Sequence, residues 1–381
     1  MTDEELHSHL LNQQGSRHNL NTPALVIDLD ALTRNIARMA DFARARGLQL
    51  RPHAKTHKSP EIARRQIEAG AIGICCAKIG EAEVLADRDV VRGLHITSPV
   101  VSAPAIERLI ALNARTEDLM CVVDNLANVH ALGTAARNFG KPLSVIIDID
   151  PGFGRTGVGS PAAALALFGA IQAQTALRYA GVQYYCGAQQ HIETYEARRQ
   201  AMVERAGFLR AIIDALTSAG GRPRIVTGGG TGTHRIDAML DIFTELQAGS
   251  YVFMDAQYLA CDLTGNAEPP PFETALMIDA RVVSTNKPGQ VTLDAGIKAF
   301  STDAGNPRVL SGAPEGTIYR FMGDEHGALI LPDDGRLPLA NVVTLSAPHC
   351  DPTVNLYDTY HVVQGDTLRA LWPVAARGRS R

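Results

Sequence analysis

Two histidines and two lysines fall within the six residues of "HAKTHK", His53 to Lys58, directly after the short apolar run "LQL". A lysine amine held where a buried strand ends can lose its proton through desolvation or nearby positive charge. The neutral amine then forms a Schiff base with an aldehyde. Lys55 is placed for that chemistry, and the competing reading is a basic loop whose lysines point to water. Far along the chain, "VTGGGTGTH" runs from Val226 to His234. Its consecutive glycines let backbone N–H groups converge on an anion, and Thr227, Thr231 and Thr233 add hydroxyl donors. The stretch lacks the Gly-Lys-Ser/Thr end of a Walker loop and does not open a Rossmann unit. An aldehyde for Lys55 and a phosphate for the glycine loop together describe one ligand, pyridoxal 5'-phosphate.

Other groups suit the remaining edges of that molecule. "DIDPGFGRTGV" places Arg155 just past a strand, where it can donate to a phenolic oxygen, and "GVQYYCGAQQH" supplies Tyr185 beside a ring and His191 as a base. In "APHCDPTVN", His349 and Asp351 are two apart, so an extended backbone would turn both to one face and Cys350 to the other. An imidazole and a carboxylate can hold a divalent cation with positions left open for water and substrate.

The elements that must position these groups follow from hydrophobic periodicity. From residue 24 onward, β-rich apolar runs such as "ALVIDL", "AIGICC", "LMCVVD" and "LSVIIDID" alternate with helical patterns. Continuous apolar strands alternating with helices imply a parallel sheet buried on both faces. Roughly eight such units suit a closed (β/α)8 barrel, with a doubly wound open sheet as the alternative. The rhythm changes at "GNAEPPPFETA", after which strand-like pieces separated by Gly, Pro and Asp turns predict an antiparallel β domain. The expected division is a barrel over 22–264 and a β domain over 265–381, with residues 1–21 either joining the latter or fraying.

The 381 residues carry a net charge of -4 with 45% hydrophobic content, an ordinary globular balance that argues against nucleic acid or anionic membranes as partners. No apolar run approaches a membrane span, and the polar, acidic start "MTDEELHSHL" is unlike a signal peptide, so a cytoplasmic location is expected. Six scattered cysteines without a C-x-x-C pair read as small buried hydrophobes.

Taken in order, "RPHAKTHKSP", "CCAKIGEAEVL", "GGGTGT", "ELQAGSYVFMDAQY", "LDAGIKA", "DEHG" and "PHCDPTVN" resemble the fold-type III pyridoxal phosphate enzymes. That family includes D-threonine aldolase, D-3-hydroxyaspartate aldolase and metal-dependent D-serine dehydratase, and the likeness runs from Thr22 to the "WPVAARG" stretch. The resemblance implies an alanine racemase-like barrel with Lys55 carrying the cofactor. It places the phosphate on Thr227, Gly229, Gly230, Thr231 and Ser250, and sets Arg155 and Tyr185 around the ring. It also implies His191 as the base on a β-hydroxyl, His349 and Asp351 as the metal pair, Asp324 behind them, and a homodimer.

The dehydratases of the family present His-x-Cys at the metal, whereas this chain has His-x-Asp. The harder oxygen ligand suits manganese first, then magnesium or cobalt. The expected activity is therefore retro-aldol cleavage of a small D-3-hydroxy amino acid. A D-serine or D-threo-3-hydroxyaspartate dehydratase is the alternative. Racemisation or decarboxylation would leave the metal pair unused, a cofactor carrier would leave the β domain unused, and a plain metal hydrolase would leave Lys55 unexplained.

Overall fold

The structure is a computed structural model that describes residues 1–265 and 269–381. Asn266, Ala267 and Glu268, part of the expected proline-rich connection, lie outside the described residues. Strand β1 spans Ala24–Asp28; then come β2 (Gln49–Leu50), β3 (Cys75–Cys76), β4 (His95–Ile96), β5 (Met120–Val123), β6 (Leu143–Asp148), β7 (Leu177–Tyr184), β8 (Ile225–Gly228) and β9 (Glu245–Leu246). Strands β2 to β9 form one parallel eight-stranded sheet in the order β2-β9-β8-β7-β6-β5-β4-β3. Its two ends meet. His53 bridges Cys75, and the N–H groups of Ile72 and Cys75 donate to the carbonyls of Leu50 (2.9 Å) and Pro52 (2.8 Å). The expected barrel is therefore closed.

Between strands, helices start where capping residues dictate. Ser102, Ser160 and Thr194 each accept the N–H of a first-turn alanine, and prolines occupy the first turn of the helices Ala103–Arg115 and Pro161–Gln172. These helices cover the outside of the barrel, which is why Met120–Val123 is buried at every residue. Inside, Arg51 forms a buried ion pair with Glu245 at 2.9 Å, tying the segment after β2 to β9.

The second sheet is built from β10 (Leu276–Lys287), β11 (Gln290–Leu293), β12 (Val309–Ser311), β13 (Ile318–Phe321), β14 (Gly327–Ile330), β15 (Val342–Ser346), β16 (Thr359–Gln364) and β17 (Thr367–Pro373). Strand β10 is its spine, antiparallel to β1, β11 and β15. One expectation needs correction here. "ALVIDL" is not the first barrel strand: β1 lies in this second sheet, between β10 and β16, and Glu245–Leu246 completes the barrel instead. The reason is physical. Leu25 and Ile27 face the main core of the second sheet, while Ala24 and Val26 face Leu10, Leu20, Val363 and Leu368 on its other side. A strand covered on both faces reads as a continuous apolar run whatever covers it.

Residues 1–21 supply that cover. Arg17 pairs with Asp279 at 2.8 Å, and a chain of hydrogen bonds runs through two buried imidazoles. Asn21 N–H donates to His7 Nε2 (3.0 Å), so in the neutral ring His7 Nδ1 carries the proton and donates to His361 Nε2 (3.0 Å). His361 Nδ1 in turn faces the Leu25 carbonyl at 3.2 Å. Asp3 completes a group of three metal-type ligands within 4.8 Å, yet every ring nitrogen is already engaged, so the trio is an anchor rather than a cation site.

Burial holds His57, His95 and His234 down to about 4, against about 6.5 in an unfolded chain. Between those values the unfolded chain binds more protons, so stability is complete above about pH 6.5 and is lost as pH falls toward about 4. The urea midpoint should decline steadily across that window; a flat profile would contradict the burial of these rings. Replacing Glu245 with Gln leaves the Arg51 guanidinium buried and uncompensated, which should cost about 3–5 kcal/mol in the same assay.

Candidate active site

The C-terminal ends of the barrel strands open toward the second sheet around a cavity of about 560 Å³. Lys55, Arg155, Tyr185, His191, Gly230, Thr231 and Ser250 line it from the barrel, and His349 lines it from the second sheet. Residues separated by almost three hundred positions thus share one chamber. Thr227 and Gly229 do not line it. Thr227 is buried on β8, where its hydroxyl accepts from Gln247 Nε2 at 2.9 Å. Gly229 turns the chain in the left-handed region (φ 72°), where a Cβ would also approach Asp237 Oδ2 to 2.6 Å.

The opening cluster of basic residues separates into distinct jobs. His53 Nε2 contacts Thr97 Oγ1 at 3.1 Å, and His57 Nδ1 accepts the Ser59 N–H at 3.1 Å. Lys58, at φ 50°, forms a buried ion pair with Glu81 at 2.6 Å. Lys55 projects into the cavity, which His53 also lines, and 39% of its side chain stays open there. There its amine meets the carboxylate of Asp351. Burial works against the ammonium, but the Asp351 charge and hydrogen bond outweigh it and hold Lys55 above the usual lysine range. This reverses the expectation that desolvation and cationic neighbours would lower it. His53 and His57 are themselves held down by burial, so at neutral pH they add no charge beside Lys55.

His349 and Asp351 are near each other for a different reason than an extended backbone. His349 is extended (φ -137°), but Cys350–Val354 is a short helix, so Asp351 sits in its first turn. Cys350 is buried, and its N–H donates to Asp255 Oδ2 at 2.9 Å. His349 Nδ1 contacts Asp303 Oδ2 at 2.7 Å, leaving Nε2 as its free ring nitrogen. Asp324, expected behind the pair, instead accepts the Lys298 N–H on its carbonyl, and no hydrogen bond joins it to His349 or Asp351 among the described residues. Asp303 was not singled out by the sequence, since an aspartate in a Gly- and Asp-rich loop has no local signal.

His191 packs its ring 4.4 Å from that of Tyr258, and its Nε2 is buried without a partner. Burial, reinforced by His349 and Lys55, lowers it to about 4, so it is a neutral acceptor at physiological pH. Arg155 lies 5.7 Å from the Tyr185 ring, on a loop held by Asp150, whose Oδ1 accepts the N–H groups of Gly152, Phe153 and Gly154. Beneath the chamber runs a polar network the sequence did not announce. Gln183 contacts His95 (2.9 Å), donates to Asp148 (2.9 Å) and accepts from Gln247 (3.1 Å).

The donor set fits pyridoxal phosphate. The Thr231 hydroxyl is buried without a partner among the described residues and stands beside Gly230 and Ser250 at the chamber wall, where a phosphate would satisfy it. Gly249 keeps that wall open, since a Cβ there would come within 2.7 Å of Thr56 Oγ1. The Nε2 of His349 and the Asp351 carboxylate, which Lys55 contacts here, offer one nitrogen and one oxygen donor that would suit a divalent metal.

Comparison with known proteins places these features in context. The alanine racemase N-terminal domain family matches residues 27–257, and a serine dehydratase domain matches 275–363. The 3-hydroxy-D-aspartate aldolase of Paracoccus denitrificans (strain Pd 1222) is 37% identical over 94% of this chain and 93% of its own length. The D-threonine aldolase of an Arthrobacter species is 38% identical over 95% and 94%. The D-threo-3-hydroxyaspartate dehydratase of Delftia sp. (strain HT23) is 32% identical over 93% and 97%. Among solved structures, D-threonine aldolase from Filomicrobium marinum superimposes with a TM-score of 0.90 at 37% identity, covering 95% of this chain and 96% of that one.

Removing the Asp351 carboxylate should let Lys55 titrate lower, and each unit makes the neutral amine roughly tenfold more abundant at a given pH. Cyanoborohydride trapping of pyridoxal phosphate on Lys55 at mildly alkaline pH should therefore quicken in Asp351→Ala. An unchanged rate would show that Asp351 does not hold this proton.

Proposed function

This chain belongs to the alanine racemase-like family that holds D-threonine aldolase and 3-hydroxy-D-aspartate aldolase, and from that membership we propose that it cleaves D-3-hydroxy amino acids to glycine and an aldehyde. The observation that carries the reading is the single chamber in which Lys55 of the barrel meets Asp351 of the second sheet, with His191 and His349 on its walls. Pyridoxal phosphate, when bound, supplies the electron sink for the charge left on Cα as the Cα–Cβ bond breaks. A divalent metal, with manganese proposed ahead of magnesium or cobalt, supplies Lewis acidity toward the β-hydroxyl.

The chain's own residues do the rest. Lys55 Nζ would hold the cofactor through its aldehyde. Gly230, Thr231 and Ser250 would hold its phosphate, with Thr227 and Gly229 shaping the strand and turn that deliver them. Arg155 and Tyr185 would bound the cofactor's side of the chamber, and Asp351 with His349 Nε2 would hold the metal. His191 Nε2, neutral and unpartnered, takes the β-hydroxyl proton as the bond to Cα breaks. A proton delivered to Cα completes glycine. The acidic charge balance supports a small-molecule enzyme of the cytoplasm without nucleic acid or membrane partners, and we propose that it works as a homodimer.

Incubation with D-threonine and manganese should yield acetaldehyde and glycine, and a chelator should abolish both. Formation of 2-oxobutanoate and ammonia instead would make the protein a dehydratase, as the Delftia relative is toward D-threo-3-hydroxyaspartate. Lys55→Ala should remove the visible absorbance of the bound cofactor, whereas His349→Ala should keep that absorbance and lose metal-dependent turnover by at least about a hundredfold.

A further inference from the structure

The stretch "YVFMDAQY" has no role in the chemistry above, yet it runs from the phosphate wall to the metal motif. Its start is tied to the phosphate side: Met254, buried and left-handed at φ 52°, donates its N–H to the carbonyl of Ser250 at 2.8 Å. A methionine in that conformation is sterically disfavoured and persists only where its surroundings over-determine it. Its end is tied to the base: Tyr258 lines the chamber and packs against His191.

Asp255 joins this stretch to the second sheet. It is fully buried and faces no cation across a salt bridge among the described residues; its carboxylate is held by backbone N–H groups instead. Oδ1 accepts from Tyr258 N–H at 3.0 Å, capping the short helix Ala256–Leu259. Oδ2 accepts from Cys350 N–H at 2.9 Å, the peptide between His349 and Asp351. Flanking bonds run the same way, from Ala256 N–H to the Ala347 carbonyl (2.9 Å) and from Gln257 N–H to that of Pro348 (3.3 Å).

We propose that Asp255 is the positioning residue of the metal pair, fixing His349 and Asp351 against the cofactor wall through the Cys350 peptide. A helix cap needs one acceptor, which serine or threonine supplies equally well. The second carboxylate oxygen reaches across the two sheets, and that reach requires aspartate. Outer-sphere partners of this kind set metal affinity by holding the ligands in register. The inference rests on the proposed metal site but concerns a residue that touches neither substrate, cofactor nor metal.

The test is manganese titration of the pyridoxal phosphate-loaded protein, followed by calorimetry, for the wild type, Asp255→Asn and Asp255→Ser. Serine keeps the cap on Tyr258 and cannot reach Cys350, so it separates the two roles even where the asparagine variant folds poorly. Both variants should bind manganese at least tenfold more weakly, with cofactor absorbance and affinity unchanged. Wild-type manganese affinity in the serine variant would overturn the proposal and leave the function above intact. An equal loss of cofactor affinity would also overturn it, by showing a general effect on folding. If the wild type itself binds no manganese, the metal site and this inference fall together.

Discussion

The contact between Lys55 and Asp351 couples the two halves of this molecule. One partner lies in the turn that follows β2 of the barrel and the other in the first turn of a short helix after β15, so neither half contains the site alone. Two opposite charges in a confined chamber attract strongly, yet removing either leaves the other poorly solvated, so such pairs demand accurate placement more than they add stability. Much of the architecture reads as a response to that demand. The barrel is closed through His53 itself, two residues before the lysine, and the second sheet is clamped to it by the bonds along Ala347 and Pro348.

Rigidity is concentrated where the chamber needs it. Lys58, three residues after Lys55, and Met254, four after Ser250, are both left-handed and buried. Lys58 is fixed by Glu81, and its carbonyl accepts the Ala376 N–H, so the loop carrying Lys55 is gripped from both halves. Under the floor, Gln183 links Gln247, His95 and Asp148 in one hydrogen-bonded network, while His95 Nδ1 is buried without a partner among the described residues. The hydroxyl of Thr231 and the Nε2 of His191, buried and without hydrogen-bond partners among the described residues, belong to residues that line the space a ligand would fill.

The groups that do chemistry were legible because their types and local order carry the signal. A lysine after an apolar run, a triple glycine with threonines, and a His-x-Asp pair are visible without any fold, as was the change from βα alternation to turn-punctuated strands. The family resemblance added the reaction that these groups would serve. Less legible were supports whose partners are remote in sequence. Asp303, Gln183 and Asp255 are ordinary polar residues until the fold brings His349, His95 and Cys350 against them.

What the sequence determined by itself was local: which segments are strands or helices, where helices start, and which residues have reactive groups. Periodicity and capping act over a few residues, so they survive in one dimension. Three matters were decided only by tertiary structure. Strand β1 went to the second sheet because the N-terminal segment covers its outer face, a fact that burial on both sides conceals. Asp351 took a helical position, in the first turn of Cys350–Val354, where its neighbour's N–H donates to Asp255. The charge on Lys55 is held by a carboxylate 296 residues away rather than tuned by the histidines beside it. Electrostatics depends on distance through space, and the chain order does not contain that distance.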